Sequence, residues 1–286
     1  EVSRGYQFIN LYENMLQGEV TPLETFQVFL EAIQFEKNEL ISNYLSGRIQ
    51  TIFWTFLSKE PQTKLQVYVN NNLVNLLEMD LPSNIKKTIF KLYQSLAVSQ
   101  EGKENLYQIW KKEKTFQNLF LNENDYTSLA MQLAIFKHTK SKEILEQQQT
   151  RISNPDRLKR FKWLLPSLSS DEKIRDDFMK SLFQKENRSN ESWVQTALSN
   201  MHHPLRQNSS KKHLMPILEK LEEVQLTGDI FFPKGWLASS IGKYSSKEAY
   251  NILQEFLKEN PDYKKSLLQK LHQTTDNLVR AQNIKN

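Results

Sequence analysis

The strongest constraint on this chain is a helix-start signal that recurs along nearly its whole length. Each time it is followed by apolar residues at three- and four-residue spacing. Thr21-Pro22-Leu23-Glu24 is a capping box with proline at the first helical position, so backbone N–H groups lacking an intrahelical partner are met or removed. Phe26, Phe29, Leu30 and Ile33 then form an apolar stripe. Ser169-Ser170-Asp171-Glu172 opens another helix in the same way, with Ile174, Phe178 and Leu182 on one face and Asp176, Asp177 and Lys180 off it. Ser245-Ser246-Lys247-Glu248 is a third box, followed by Ala249, Ile252, Leu253, Phe256 and Leu257; Asn260-Pro261 stops that helix and starts the next. Asn154-Pro155 begins a helix that Pro166 should end. No stretch alternates apolar and polar residues over a useful length, and seven glycines and nine prolines in 286 residues are few for a sandwich or barrel. The chain is all-α.

Start signals near residues 21, 38, 62, 83, 102, 123, 141, 155, 170, 190, 210 and 246 lie about 20 residues apart in most places. Two helices per ~40 residues is the period of HEAT and armadillo stacks. The expected architecture is an irregular right-handed superhelix of antiparallel helix hairpins, a single domain over residues 1–286. One stretch departs from the rhythm. Residues 201–242 hold three of the nine prolines and three of the seven glycines, and Thr227–Trp236 reads as an apolar loop between helices. Trp54, Trp110, Trp163 and Trp193 read as core packers, with Trp236 in that loop set apart.

The residues that carry chemistry are sparse. None of the five histidines, His138, His202, His203, His213 and His272, opens an H-E-x-x-H sequence, and there is no phosphate-binding glycine loop or G-x-S-x-G elbow. Without cysteine there is no disulfide, thiolate metal site or cysteine nucleophile, and cytoplasm and periplasm both stay open. His202 and His203 are adjacent, so on a helix they would point about 100° apart and grip one ion poorly; they read as hydrogen-bonded loop residues. The net charge of +5 is unevenly placed, with 23 Lys and Arg against 16 Asp and Glu from residue 151 onward. That excess reads as a solvated surface or as a basic face meeting anions. No reader motif for nucleic acid occurs, and no apolar run approaches the ~20 residues that span a bilayer.

A resemblance adds to this reading. Met201-His202-His203-Pro204-Leu205-Arg206-Gln207, then Thr227-Gly228-Asp229-Ile230-Phe231-Phe232-Pro233 with Trp236-Leu237, Asn260-Pro261-Asp262-Tyr263 and Asp276-Asn277-Leu278-Val279-Arg280-Ala281, follow in order. Together they resemble the C-terminal helical domain of bacterial aminopeptidase N-type zinc metallopeptidases, the gluzincins. Ile9-Asn10-Leu11-Tyr12-Glu13-Asn14 and Gly18-Glu19 resemble the opening helix of that domain. The likeness is strong over about residues 160–282 and looser over 1–160.

The resemblance implies a parent enzyme whose separate thermolysin-like domain holds H-E-x-x-H, a further glutamate ligand, a catalytic tyrosine and a G-x-M-E-N loop. Zinc there polarises the scissile carbonyl and activates water. Since the chain opens at Glu1-Val2-Ser3-Arg4-Gly5 without an initiator methionine, it reads as a piece of such a protein, inactive and zinc-free alone. Its implied partners are the catalytic domain of the same polypeptide and the peptide substrate, with no nucleic acid and no membrane segment. In that family basic side chains of the helical domain can meet the peptide's C-terminal carboxylate. His202, His203, Arg206, Asp229 and Lys234 are the candidate substrate-binding residues, an arginine fork suiting a carboxylate through two parallel hydrogen bonds. A second reading has Arg206 and Asp229 tying the segment to neighbouring helices. A free-standing helical-repeat scaffold for protein or nucleic acid is the alternative function.

Overall fold

The structure is a computed structural model describing residues 1–284; the last two positions of the 1–286 span lie outside the described residues. Among the described residues every regular element is a helix and there is no strand. The chain packs into two compact units, one formed by residues 1–144 with the last turn of the final helix, the other by Leu145–Gln282.

In the first unit the Thr21 box forms as read: Glu24 N–H donates to Thr21 Oγ1 at 3.2 Å and Thr21 N–H donates to Glu24 Oε2 at 3.1 Å. It starts the helix Pro22–Phe35, whose Phe26, Phe29, Leu30 and Ile33 are all buried. Each such side chain contributes roughly 1.5–3 kcal/mol by leaving water. Helix Glu39–Thr51 packs on Pro22–Phe35 and on Ser83–Leu96, and Lys59–Glu78 lies against Ser83–Leu96. A single wide π turn, Ile52–Phe56, continues Glu39–Thr51 and tucks Phe53 and Phe56 into the core. Two charges are taken inside with partners. Glu36 accepts from Arg4 Nε at 2.8 Å and Nη2 at 2.9 Å, and the ammonium of fully buried Lys86 donates to the Gln117 carbonyl at 2.6 Å.

In the second unit Asn154 caps Pro155–Leu168 through hydrogen bonds from Asp156 N–H and Arg157 N–H, both 3.0 Å. Pro166 does not end this helix, which runs on to Leu168; proline so near the end removes one donor without blocking the last two residues. The next helix, Glu172–Ser181, is capped by Asp171 and not by Ser169, and its buried face is Arg175 and Met179 with Leu182 behind them. Ile174 is exposed, so the stripe read as Ile174, Phe178 and Leu182 is turned by one residue. Ser246 caps Lys247–Glu259, accepting from Ala249 N–H at 3.3 Å. Asn260 closes that helix as expected, but Lys265–Ile284 starts only after a turn over residues 261–264.

Residues 201–242 are the largest departure from expectation. The supposed loop Thr227–Trp236 is a tight turn over 228–231, followed directly by helix Phe232–Ala238 with Pro233 in its first turn. Leu214–Glu219 and Leu221–Thr227 are short helices before it. Phe232 and Trp236 stand one helical turn apart and both are buried, their rings edge to face at 6.1 Å. The Trp236 indole N–H donates to the Ile217 carbonyl at 3.1 Å, which makes it core. Trp110 is also fully buried, whereas Trp54, Trp163 and Trp193 are half-buried.

Candidate functional site

The candidate residues fall on two segments of the second unit. His202 closes helix Glu191–Met201, and its side chain is wholly inside the protein. Its Nδ1 shares a hydrogen bond of 2.8 Å with the Tyr244 hydroxyl, while Nε2 meets no polar atom among the described residues. Burial, with a smaller contribution from His213, pushes His202 down to about 3, so the ring is neutral at physiological pH. His202 thus sits in the turn after the helix as the hydrogen-bonded residue it was read to be, and its burial closes it to a ligand. His203 is half-buried, and its Nδ1 accepts from Leu205 N–H at 3.2 Å to start the short 3₁₀ turn Pro204–Arg206. Burial and the cations Arg206 and Lys243 also push it down to about 3.

Arg206 is 3% exposed, and its guanidinium ends on the backbone: Nη1 donates to the Ser167 carbonyl at 2.7 Å and Nη2 to the Leu168 carbonyl at 3.0 Å. Burial, then repulsion from Arg175, lowers its pKa to about 10, which leaves it charged. Arg175 takes the next two carbonyls, Ser169 at 2.7 Å and Ser170 at 3.0 Å. Two arginines thus cover four successive carbonyls at the end of helix Pro155–Leu168, where a helix leaves its acceptors unmet and its dipole is negative. Arg188 repeats the device after helix Glu172–Ser181, donating to the Leu182 and Phe183 carbonyls at 3.1 and 3.0 Å and holding Glu223 at 2.6 Å. The fork suited to a carboxylate is here a fork for helix ends, as the tying reading of Arg206 had it.

Asp229 and Lys234 belong to the turn and helix around Phe232. Both are exposed. Asp229 accepts from Phe231 N–H at 2.9 Å through Oδ1, and its own N–H donates to Glu191 Oε1 at 2.6 Å. Lys234 makes no ion pair among the described residues. Of the five candidates, the structure brings His202, His203 and Arg206 together and sets Asp229 and Lys234 on another segment.

Beside that second segment lies a cleft of about 310 Å³ between the 3₁₀ turn Lys185–Arg188 and residues 227–232. Phe232 is its apolar lining, and Lys185, Glu186, Ser189 and Thr227 supply polar groups. Gly228 is required there, because a Cβ would come within 2.6 Å of the Phe232 ring and 2.8 Å of Glu191 Oε1. Flanking it, Leu226, Ile230 and Phe231 are 78%, 70% and 77% exposed. Sequence reasoning set Thr227–Trp236 apart, Ile230 and Phe231 included, but passed over Lys185, Arg188 and Leu226. The available signal was Gly228 just ahead of Phe231 and Phe232, since a glycine beside bulky side chains marks a close backbone approach.

Among the described residues no three His, Asp or Glu side chains converge in a way that could hold a metal ion, and no helix is long and apolar enough to cross a membrane. No known family's sequence pattern matches the chain, and no curated protein is significantly similar to it.

Proposed function

We propose that the chain is the non-catalytic C-terminal helical domain of a bacterial zinc aminopeptidase, built as an irregular superhelix of helix hairpins that closes over the active site and shapes the peptide chamber. The carrying observation is where the resembling phrases fall. His202, Arg206, Phe232 and Trp236 are all buried and hold helix ends or core contacts. A likeness carried by such residues speaks for a shared architecture, since these positions tolerate few substitutions. The packing of helices on next and next-but-one neighbours, as in Glu39–Thr51 on Pro22–Phe35 and Ser83–Leu96, supports stacked hairpins.

Zinc held by the catalytic domain of the parent would supply the Lewis acid, and this chain would supply walls and peptide contacts. His203, Asp229 and Lys234 remain the candidates with surface to offer a substrate, whereas His202 and Arg206 are buried within the fold. The test is direct. The full-length protein releases an aminoacyl chromophore in a zinc-dependent way, the 286-residue chain alone releases none, and the reading frame upstream of Glu1 encodes H-E-x-x-H. A full-length protein with an intact H-E-x-x-H and no activity on any aminoacyl substrate removes the enzymatic part.

A second reading, a free-standing helical scaffold that binds another protein, is favoured by the exposed Leu226, Ile230 and Phe231. A gene ending just upstream of residue 1, with no peptidase domain, selects it.

A further inference from the structure

We infer that the turn over residues 226–234 is a self-association surface, on which two copies of this chain pair about a twofold axis, each placing Phe231 in the other's cleft beside Gly228. A twofold interface uses the same patch on both partners, so the patch must carry both a projection and the recess that receives it. This one does. Leu226, Ile230 and Phe231 project into solvent within six residues of sequence, a cluster rather than scattered single apolar side chains. The recess of about 310 Å³ lies directly beside them, lined by the Phe232 ring and large enough for an aromatic side chain.

Charge points to the same occupant. Lys185 and Glu186 stand on the rim of the cleft, and Asp229 and Lys234 stand next to the ridge. Neither lysine has an ion-pair partner among the described residues. Two cations and two anions make a patch that is neutral as a whole and divided in detail. A patch of one sign would repel its own copy, whereas this one offers each lysine a carboxylate across the dyad. The projecting side chains are held by backbone, with Asp229 Oδ1 accepting from Phe231 N–H at 2.9 Å and Glu191 Oε1 accepting from Asp229 N–H at 2.6 Å. Little ordering remains to be done on association. The inference does not depend on the aminopeptidase reading, because it concerns this chain's own surface.

The chain contains no cysteine, which makes the test clean. Light scattering on the purified chain over a concentration series should show a reversible monomer–dimer equilibrium. Phe231→Ser with Ile230→Ser, both at exposed positions, should weaken it roughly tenfold or more. Lys185→Glu should weaken it as well. A chain that keeps Phe231 and carries Lys234→Cys and Ser189→Cys, both at exposed positions, should be trapped as a covalent dimer by a short thiol cross-linker, whereas a Lys59→Cys chain should not. Monomers at every concentration overturn the inference, as does a dimer indifferent to the ridge substitutions or cross-linked only through position 59. Protection of Phe231 from oxidation in a longer polypeptide but not in this chain also overturns it, since the ridge then serves a neighbouring domain. Zinc-dependent hydrolysis by the full-length protein bears on the preceding section alone, so the two readings fail separately.

Discussion

Three buried arginines define the second unit more sharply than any aromatic residue. Arg206 leaves Ser167 and Leu168 as orphaned buried carbonyls when it is removed. Arg206→Ala should therefore lower the unfolding free energy by roughly 2–4 kcal/mol in urea titrations, the cost of two unmet acceptors. Lysine should rescue little, because one ammonium cannot present the two-pronged geometry. Under the proposed function, Arg206→Ala in the full-length protein should impair peptides and amino-acid anilides alike; a loss confined to peptides would return the residue to the substrate. His202 gives a pH signature. Its folded-state pKa of about 3 lies below the usual 6.5, so the unfolded chain takes up the proton first. Stability is full above about pH 6.5 and falls as pH drops toward 3, at up to about 1.4 kcal/mol per pH unit. His202→Gln, which keeps a partner for Tyr244, should flatten that fall relative to wild type in chemical unfolding across the same range.

Helix ends were the most legible elements, because a cap is a local matter between a side chain and N–H groups two or three residues on. Thr21, Asn122, Asn154 and Ser246 accept those bonds. Asn154→Ala should cost about 1 kcal/mol in thermal or urea unfolding. Between elements, Asp176 ties helix Glu172–Ser181 to Lys212 and His213 at 2.6 and 2.7 Å. Burial alone would raise its pKa, but those two hydrogen bonds outweigh burial and hold the carboxyl below the usual range. Its contribution is present above the ordinary carboxylate pKa and disappears as pH falls through the lower folded value. Asp176→Asn should thus cost up to about 1 kcal/mol at neutral pH and nothing in strong acid, by unfolding titrations at the two extremes. What misled the reading was the weight given to side-chain type. The stripe was drawn through apolar side chains alone, and the buried face of that helix, which runs through Arg175, was placed one residue off. Gly228 and Pro233 looked like a loop, although proline belongs in a first helical turn and Phe232 with Trp236 keeps helical spacing.

At the scale of the molecule, an all-helical chain was readable from the amino acids because 3.6-residue periodicity and capping are set within a few residues of chain. The same local rules placed most helix starts within a residue or two. Long-range choices were not readable. Which carbonyls Arg206 reaches, 38 and 39 residues away in sequence, depends on where helix Pro155–Leu168 ends in space. The pairing of His202 with Tyr244 spans 42 residues, and the cleft beside Gly228 exists only because residues 185–189 lie opposite residues 227–232. Periodicity is blind to such partners, since a side chain's chemistry declares what it can bond but not what packing will bring within reach. The chain's own order of residues determined that it is helical and where most capped helices begin; the division of cations into those consumed by helix ends and those left to the surface was made by tertiary packing, because burial alone decides which unmet carbonyls must be answered.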